Sequence, residues 1–151
     1  MRKLILLLLL VPFISCQIPF KVTEDQVMEA FETFFDILDN DPDNFGSIVT
    51  NDFYIFENSR RYSKEEFIEF VNGFDIIDGK RDFENITIET DYHSAHITLT
   101  HFGEFRVTSP EGEIKMNFEW LESAYLIKED GTLKFKFYFS EAINKTTIKI
   151  K

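Results

Sequence analysis

Apolar positions along this chain repeat with two different periods. Val27, Phe31, Phe34, Phe35 and Leu38 fall at helical spacing, which lines one broad face of a helix. Thr23-Glu24-Asp25-Gln26 stands just ahead of them and reads as a capping box, with Thr23 as N-cap and Gln26 reaching back. Asp41-Pro42 reads as an N-cap followed by proline at the first helical position. It predicts a second, short helix carrying Phe45, Ile48 and Val49. Asp52 to Glu57, dense in Phe53, Tyr54, Ile55 and Phe56, reads as a strand. Ser63-Lys64-Glu65-Glu66 is another capping box and predicts a third helix, with Phe67, Phe70, Val71 and Phe74 on one side.

From about Phe83 the period changes to two. Ile86 and Ile88 alternate with polar neighbours, as do Ala95, Ile97 and Leu99, and Ile114, Met116, Phe118 and Trp120 share a face. Turn residues gather at Asp91-Tyr92 to Ser94 and at Ser109-Pro110-Glu111-Gly112. Asp130-Gly131 is a two-residue hairpin signal. After it Leu133, Phe135, Phe137 and Phe139 alternate with Lys134, Lys136 and Tyr138. The order predicts an α+β fold, with three N-terminal helices packed on one face of a curved, mostly antiparallel sheet.

The first residues belong to a different system. Arg2 and Lys3 precede an apolar run from Leu4 to Val11 that continues to Ile14, the charged and apolar regions of a signal peptide. The run is shorter than the roughly 20 apolar residues a bilayer span needs. Phe13-Ile14-Ser15-Cys16 resembles a bacterial lipobox, although Phe13 replaces the usual leucine. The resemblance implies lipidation of Cys16 and a protein tethered to the cell envelope, periplasm-facing or surface-exposed. Residues 1–15 are then the signal peptide, 16–22 the tether, 23–143 the folded domain and 144–151 a C-terminal tail.

Composition narrows the function classes. The chain of 151 residues carries a net charge of −11, which becomes −13 once Arg2 and Lys3 leave with the signal peptide. An acidic chain lacks the basic footprint of a nucleic-acid binder. A single cysteine excludes an intramolecular disulfide framework and a multi-cysteine zinc site. Acidic residues concentrate between positions 22 and 91, whereas residues 133–151 hold five lysines and one acid. Eighteen phenylalanines are enough for an aromatic core or for an aromatic-lined cavity.

The layout is similar to the nuclear transport factor 2-like superfamily, in its SnoaL-like branch. The features that carry the likeness are the first helix, the Asp41-Pro42-Asp43 start of the second helix leading to Asn51-Asp52 and a strand, and the Lys128-Glu129-Asp130-Gly131-Thr132-Leu133-Lys134 hairpin before the last strand. The resemblance covers about Thr23 to Ala142. It implies a cone in which the curved sheet wraps the long helix and leaves a pocket for a small apolar molecule. It also implies a homodimer. Ketosteroid isomerisation is the best-understood activity of that superfamily, with a carboxylate shuttling a proton while a tyrosine and a protonated aspartate donate to an oxyanion. The carboxylate position falls on Glu57, and the tyrosine position on Thr33. The oxyanion donor is therefore missing from its expected place. Phe34, Phe35, Tyr54, Phe56, Met116, Trp120 and Tyr138 are the expected pocket lining, with Glu57 as candidate base.

Other constellations carry less. His93 and His101 share one strand face and His96 the other, and the simplest reading is surface or satisfied histidines. Asp39-Asn40-Asp41-Pro42-Asp43-Asn44 approaches a calcium-loop spacing, but Asn44 stands where glycine is needed and Thr50 where a closing glutamate is needed. No motif for a cofactor or metal is present. The sequence thus favours an exported, lipid-anchored module that binds a small apolar molecule or a partner protein without catalysis. The alternative is a lyase or isomerase using a pocket carboxylate or histidine as general base. The anchor is checked by labelling with a palmitate analogue in a bacterial host: wild type takes up label and Cys16→Ala does not, whereas equal labelling of the two contradicts it.

Overall fold

The computed structural model describes residues 20–150, so Cys16 and the leader lie outside the described residues. The elements are helix α1 (Glu24–Asn40), a 3-10 helix (Pro42–Ser47), β1 (Val49–Glu57), β2 (Arg60–Ser63), α2 (Lys64–Asn72), β3 (Ile76–Thr90), β4 (Ser94–Ser109), β5 (Gly112–Glu129) and β6 (Thr132–Lys149). They form one six-stranded sheet in the order β2-β1-β6-β5-β4-β3. Only the β1–β6 pairing is parallel. The α+β fold with a curved, mostly antiparallel sheet is the one expected.

Both capping boxes form. Thr23 Oγ1 accepts from Gln26 N at 3.3 Å while the Gln26 side chain accepts from Thr23 N at 3.1 Å. Ser63 and Glu66 do the same at the start of α2. Each box satisfies donors that a helix start leaves free. The second predicted helix is instead a 3-10 turn, and Asp41 makes no side-chain cap bond. Val49 belongs to β1, and Phe74 lies beyond the end of α2. Strand β2 has no counterpart in the sequence reading. It follows a two-residue turn at Asn58-Ser59, both at positive φ, the left-handed pair that tight hairpins require.

Helix α1 lies across the inner face of the sheet and buries Val27, Phe31, Phe34, Phe35, Ile37 and Leu38. Phe34 is the hub of an aromatic cluster. Its ring centroid lies 4.6 Å from Phe135, 5.0 Å from Tyr138 and 5.3 Å from each of Phe35 and Phe45. Strand β4 alternates throughout, with Ala95, Ile97, Leu99, His101, Phe105 and Val107 turned inward.

Strand β6 does not alternate as its sequence suggests. Leu126 pairs with Phe135 but Tyr125 pairs with Phe137, so Lys136 is an extra residue. This bulge inverts the faces that follow it. Tyr138 and Ser140 turn inward and are buried, while Phe139 is 36% exposed. The expected inward set of Phe135, Phe137 and Phe139 is therefore corrected to Phe135, Tyr138, Ser140 and Ala142. A second extra residue, Ile143, separates the Trp120–Ala142 pair from Glu119–Asn144. It places Lys145 opposite Phe118. Residues 144–149, expected as a tail, continue β6 in register with β5 as far as Ile114–Lys149.

The bulge makes a direct prediction. Phe135→Ala should destabilise the domain by about 3–5 kcal/mol, as for a fully buried aromatic ring, and Phe137→Ala by less than about half of that. Urea denaturation of the two variants checks it. Equal losses would restore the unbulged register.

Candidate functional site

The inner face beyond the end of α1 is a cavity of about 210 Å³. Most of its wall is apolar: Phe34, Phe35 and Leu38 from α1, Phe67, Phe70 and Val71 from α2, and Phe105, Met116, Phe118 and Trp120 from the sheet. Polar groups enter it from three neighbouring strands. Glu57 on β1 pairs with Ser140 on β6, and Ser140 pairs with Glu122 on β5. Strand register alone thus lays Glu57, Ser140 and Glu122 in one row across the floor. His101 on β4 sits one step along, opposite Trp120.

Glu122 and His101 form a buried pair, their side chains 3% and 2% exposed. His101 Nδ1 lies 3.1 Å from Glu122 Oε1. The Tyr138 hydroxyl donates to Glu122 Oε2 at 2.8 Å, and the Ser140 hydroxyl donates to Oε1 at 3.3 Å. A buried carboxylate with three donors is well satisfied. Because a carboxylate only accepts, Nδ1 is the donor in this pair and Nε2 is the ring nitrogen left over. Nε2 is buried and has no hydrogen-bond partner among the described residues. The ring is held by Phe83, Trp120 and Phe35 at centroid distances of 4.8, 4.7 and 5.0 Å.

Glu57 stands at the other end of the row. Burial, first, and the negative charges of Glu122 and Glu141 push its carboxyl up to about 7, with the Ser140 hydroxyl acting in the opposite direction. At neutral pH it is therefore divided between acid and base. Tyr138 is driven the same way, well above the usual phenol range, by burial and then by the charge of Glu122. Its hydroxyl stays protonated and committed to that carboxylate. At the rim, Arg81 is clamped by both oxygens of Asp39 at 2.6 and 3.0 Å. Lys145 lies 5.1 Å over the Phe118 ring. Among the described residues, no group of three or more His, Cys, Asp or Glu is placed to hold a metal.

The expected residues divide cleanly. Glu57, Phe34, Phe35, Met116, Trp120 and Tyr138 line the cavity. Tyr54 and Phe56 do not; they turn to the outer face of the sheet and pack on Phe137 at 5.1 and 6.1 Å, because Phe53, Ile55 and Glu57 take the inward positions of β1. Thr33 is turned back on the helix, donating to Glu29 O. His96 faces outward against Ser123. The surface reading fails for His101. Glu122, Ser140, Arg81 and Lys145 were missed altogether. A signal exists for Glu122, and likewise for the inward placement of His101. The run Ala95, Ile97, Leu99 extends by period to His101, and Met116, Phe118, Trp120 to Glu122, so each is a polar residue at a predicted inward position.

No protein-family model matches the chain, and no curated protein matches it in sequence. Solved structures do match in shape. A protein assigned as a scytalone dehydratase from Novosphingobium aromaticivorans superposes with TM-score 0.66 at 15% identity, covering 84% of this chain and 88% of that one. A hexachlorocyclohexane dehydrochlorinase, LinA type 2, gives 0.69 at 12% identity over 83% and 88%. An uncharacterised protein with a cystatin-like fold from Caulobacter vibrioides gives 0.64 at 17% over 80% and 89%. At such identities the likeness establishes the fold alone, an α+β fold of the cystatin-like kind.

The raised carboxyl sets a pH dependence. Between pH 4.5 and 7 the unfolded chain releases the Glu57 proton while the folded protein keeps it, so this group's contribution is full below 4.5 and is lost as pH rises through 7. Glu57→Gln should remove that loss. The variant should gain on wild type by up to roughly 3 kcal/mol between pH 4.5 and pH 8, read from denaturation midpoints at each pH. A constant difference across that range contradicts the burial of the carboxyl.

Proposed function

We propose that the chain binds a small, largely apolar molecule in this cavity and moves a proton on it, as an acid–base catalyst of the lyase or isomerase type. The observation that carries the reading is the His101–Glu122 pair, with a buried Nε2 that no described residue satisfies. An unpartnered buried nitrogen costs stability, and a ligand's acidic C–H or O–H is a partner that would offset the cost. Glu122 fixes the tautomer and orientation of the ring and stabilises the imidazolium formed when Nε2 takes a proton. Glu57, poised near neutrality, serves as the second acid or base. Tyr138 is occupied by Glu122, which separates this site from an oxyanion hole of the ketosteroid-isomerase kind. Two of the shape neighbours are named for eliminations, reactions that need such a base. The sequence-based preference for a non-catalytic module rests on the missing oxyanion donor and on histidines read as surface or satisfied; His101 in the cavity wall supports the alternative of a histidine base.

Two further parts of the reading concern partners. The chain is tethered to the cell envelope through Cys16. It pairs with a second copy through the outer sheet face, where Tyr54, Phe56, Tyr125, Phe137 and Phe139 leave aromatic surface in contact with solvent.

Proton abstraction can be tested without the natural ligand. 5-Nitrobenzisoxazole loses its C3 proton to a base as its N–O bond opens, giving a coloured phenolate. Wild type should accelerate this ring opening, and His101→Gln should lower the rate at least about a hundredfold, the usual contribution of a positioned base. A wild-type rate no higher than that of free imidazole at equal concentration sinks the catalytic reading. A small molecule retained in native mass spectrometry would then leave binding alone.

A further inference from the structure

The cavity wall between His101 and Lys145 is a ladder of rings in contact, Phe118 stacked on Trp120 and His101 tilted against it. His101 lies 4.7 Å from Trp120, Trp120 lies 4.6 Å from Phe118 with the rings 11° apart, and the Lys145 ammonium lies 5.1 Å beyond Phe118. The ladder depends on Gly103, where a Cβ atom would meet the Trp120 ring at 2.5 Å. It depends equally on the second bulge of β6, which turns Lys145 toward Phe118. One end of the ladder therefore carries the acid–base groups and the other a cation, with apolar rings between them.

The two cations that line the cavity differ. Arg81 is neutralised by Asp39. Lys145 makes no ion pair and no hydrogen bond among the described residues, although Lys115, Lys134, Lys136 and Lys149 each have a carboxylate. A ring face holds its position by cation–π attraction while leaving its three donors open. An apolar wall ending in an unneutralised ammonium matches one charge type of ligand.

We propose that the cavity selects amphipathic organic anions, in which an apolar body lies along the Phe118–Trp120 ladder and one anionic group meets Lys145. The inference rests on the reading of the cavity as a ligand site and adds the ligand's charge and polarity. It also orients the ligand. The reacting carbon or oxygen sits at the His101 and Glu57 end, and the carboxylate, sulfonate or phosphate of the ligand stays at the rim.

Two fluorescent probes of similar size separate the possibilities: 8-anilinonaphthalene-1-sulfonate, which is anionic, and N-phenyl-1-naphthylamine, which is neutral. Trp120 is the chain's single tryptophan, so energy transfer from it to a probe reports occupancy of this cavity. Both probes should bind with transfer from Trp120. Lys145→Gln should weaken the sulfonate at least fivefold and leave the neutral probe within twofold, and Lys145→Arg should restore the sulfonate. Equal effects of Lys145→Gln on both probes, or none on either, overturn the charge selection while the cavity stands as a ligand site. Failure of both probes to quench Trp120 in wild type overturns the selection and the ligand site together.

Discussion

Everything at the site depends on the register of β6. This strand lies between β1 and β5, so its inward residues face α1 at the centre of the cone. Without the extra residue at Lys136, alternation would carry Phe137 and Phe139 inward and put Tyr138 on the outer face. The bulge instead seats the Tyr138 hydroxyl on Glu122 and brings Ser140 between Glu57 and Glu122. Bulges re-aim side chains at the cost of local ladder hydrogen bonds. Here one extra residue exchanges phenylalanines for Tyr138 and Ser140 on the β6 part of the floor, and a second turns Lys145 to the cavity rim.

A polar row under an aromatic roof is expensive unless its members satisfy each other. Glu122 shows how this is achieved, with donors from His101, Tyr138 and Ser140. The remaining imbalance is confined to two groups. Glu57 meets it by holding its proton to about pH 7, and His101 Nε2 is left without a partner among the described residues. Both groups face the same cavity. Local frustration of this kind is what a catalytic site keeps and a structural core removes.

Much of the fold was legible because it follows from period and capping. Thr23 and Ser63 announce helices through reciprocal hydrogen bonds that depend on only four residues each. The alternation of β4 and β5 is regular and was readable over most of its length. What escaped is non-local. The bulge at Lys136 is fixed by pairing with β5 across the Asp130-Gly131 turn, and no pattern within β6 announces it. The Asn58-Ser59 turn escaped because neither residue is glycine. Glu57 was legible through the family resemblance and holds its place in the cavity. Tyr54 and Phe56 are expected beside it as lining of the same cone, although period two along β1 sends them to the opposite face from Glu57. Glu122 and His101 required treating a polar residue in an apolar run as a signal.

The fold itself serves many chemistries, and what distinguishes this chain is the poise of its own buried groups. Carboxyl-carbon NMR of the ¹³C-labelled protein, with Glu57 assigned through Glu57→Gln, follows the proton on that side chain directly. The account predicts a titration midpoint close to 7, set by burial and by the neighbouring charge of Glu122, and a downward shift when Glu122→Gln removes that charge. A midpoint near 4.5, the ordinary value for glutamate, unmoved by that substitution, would contradict it.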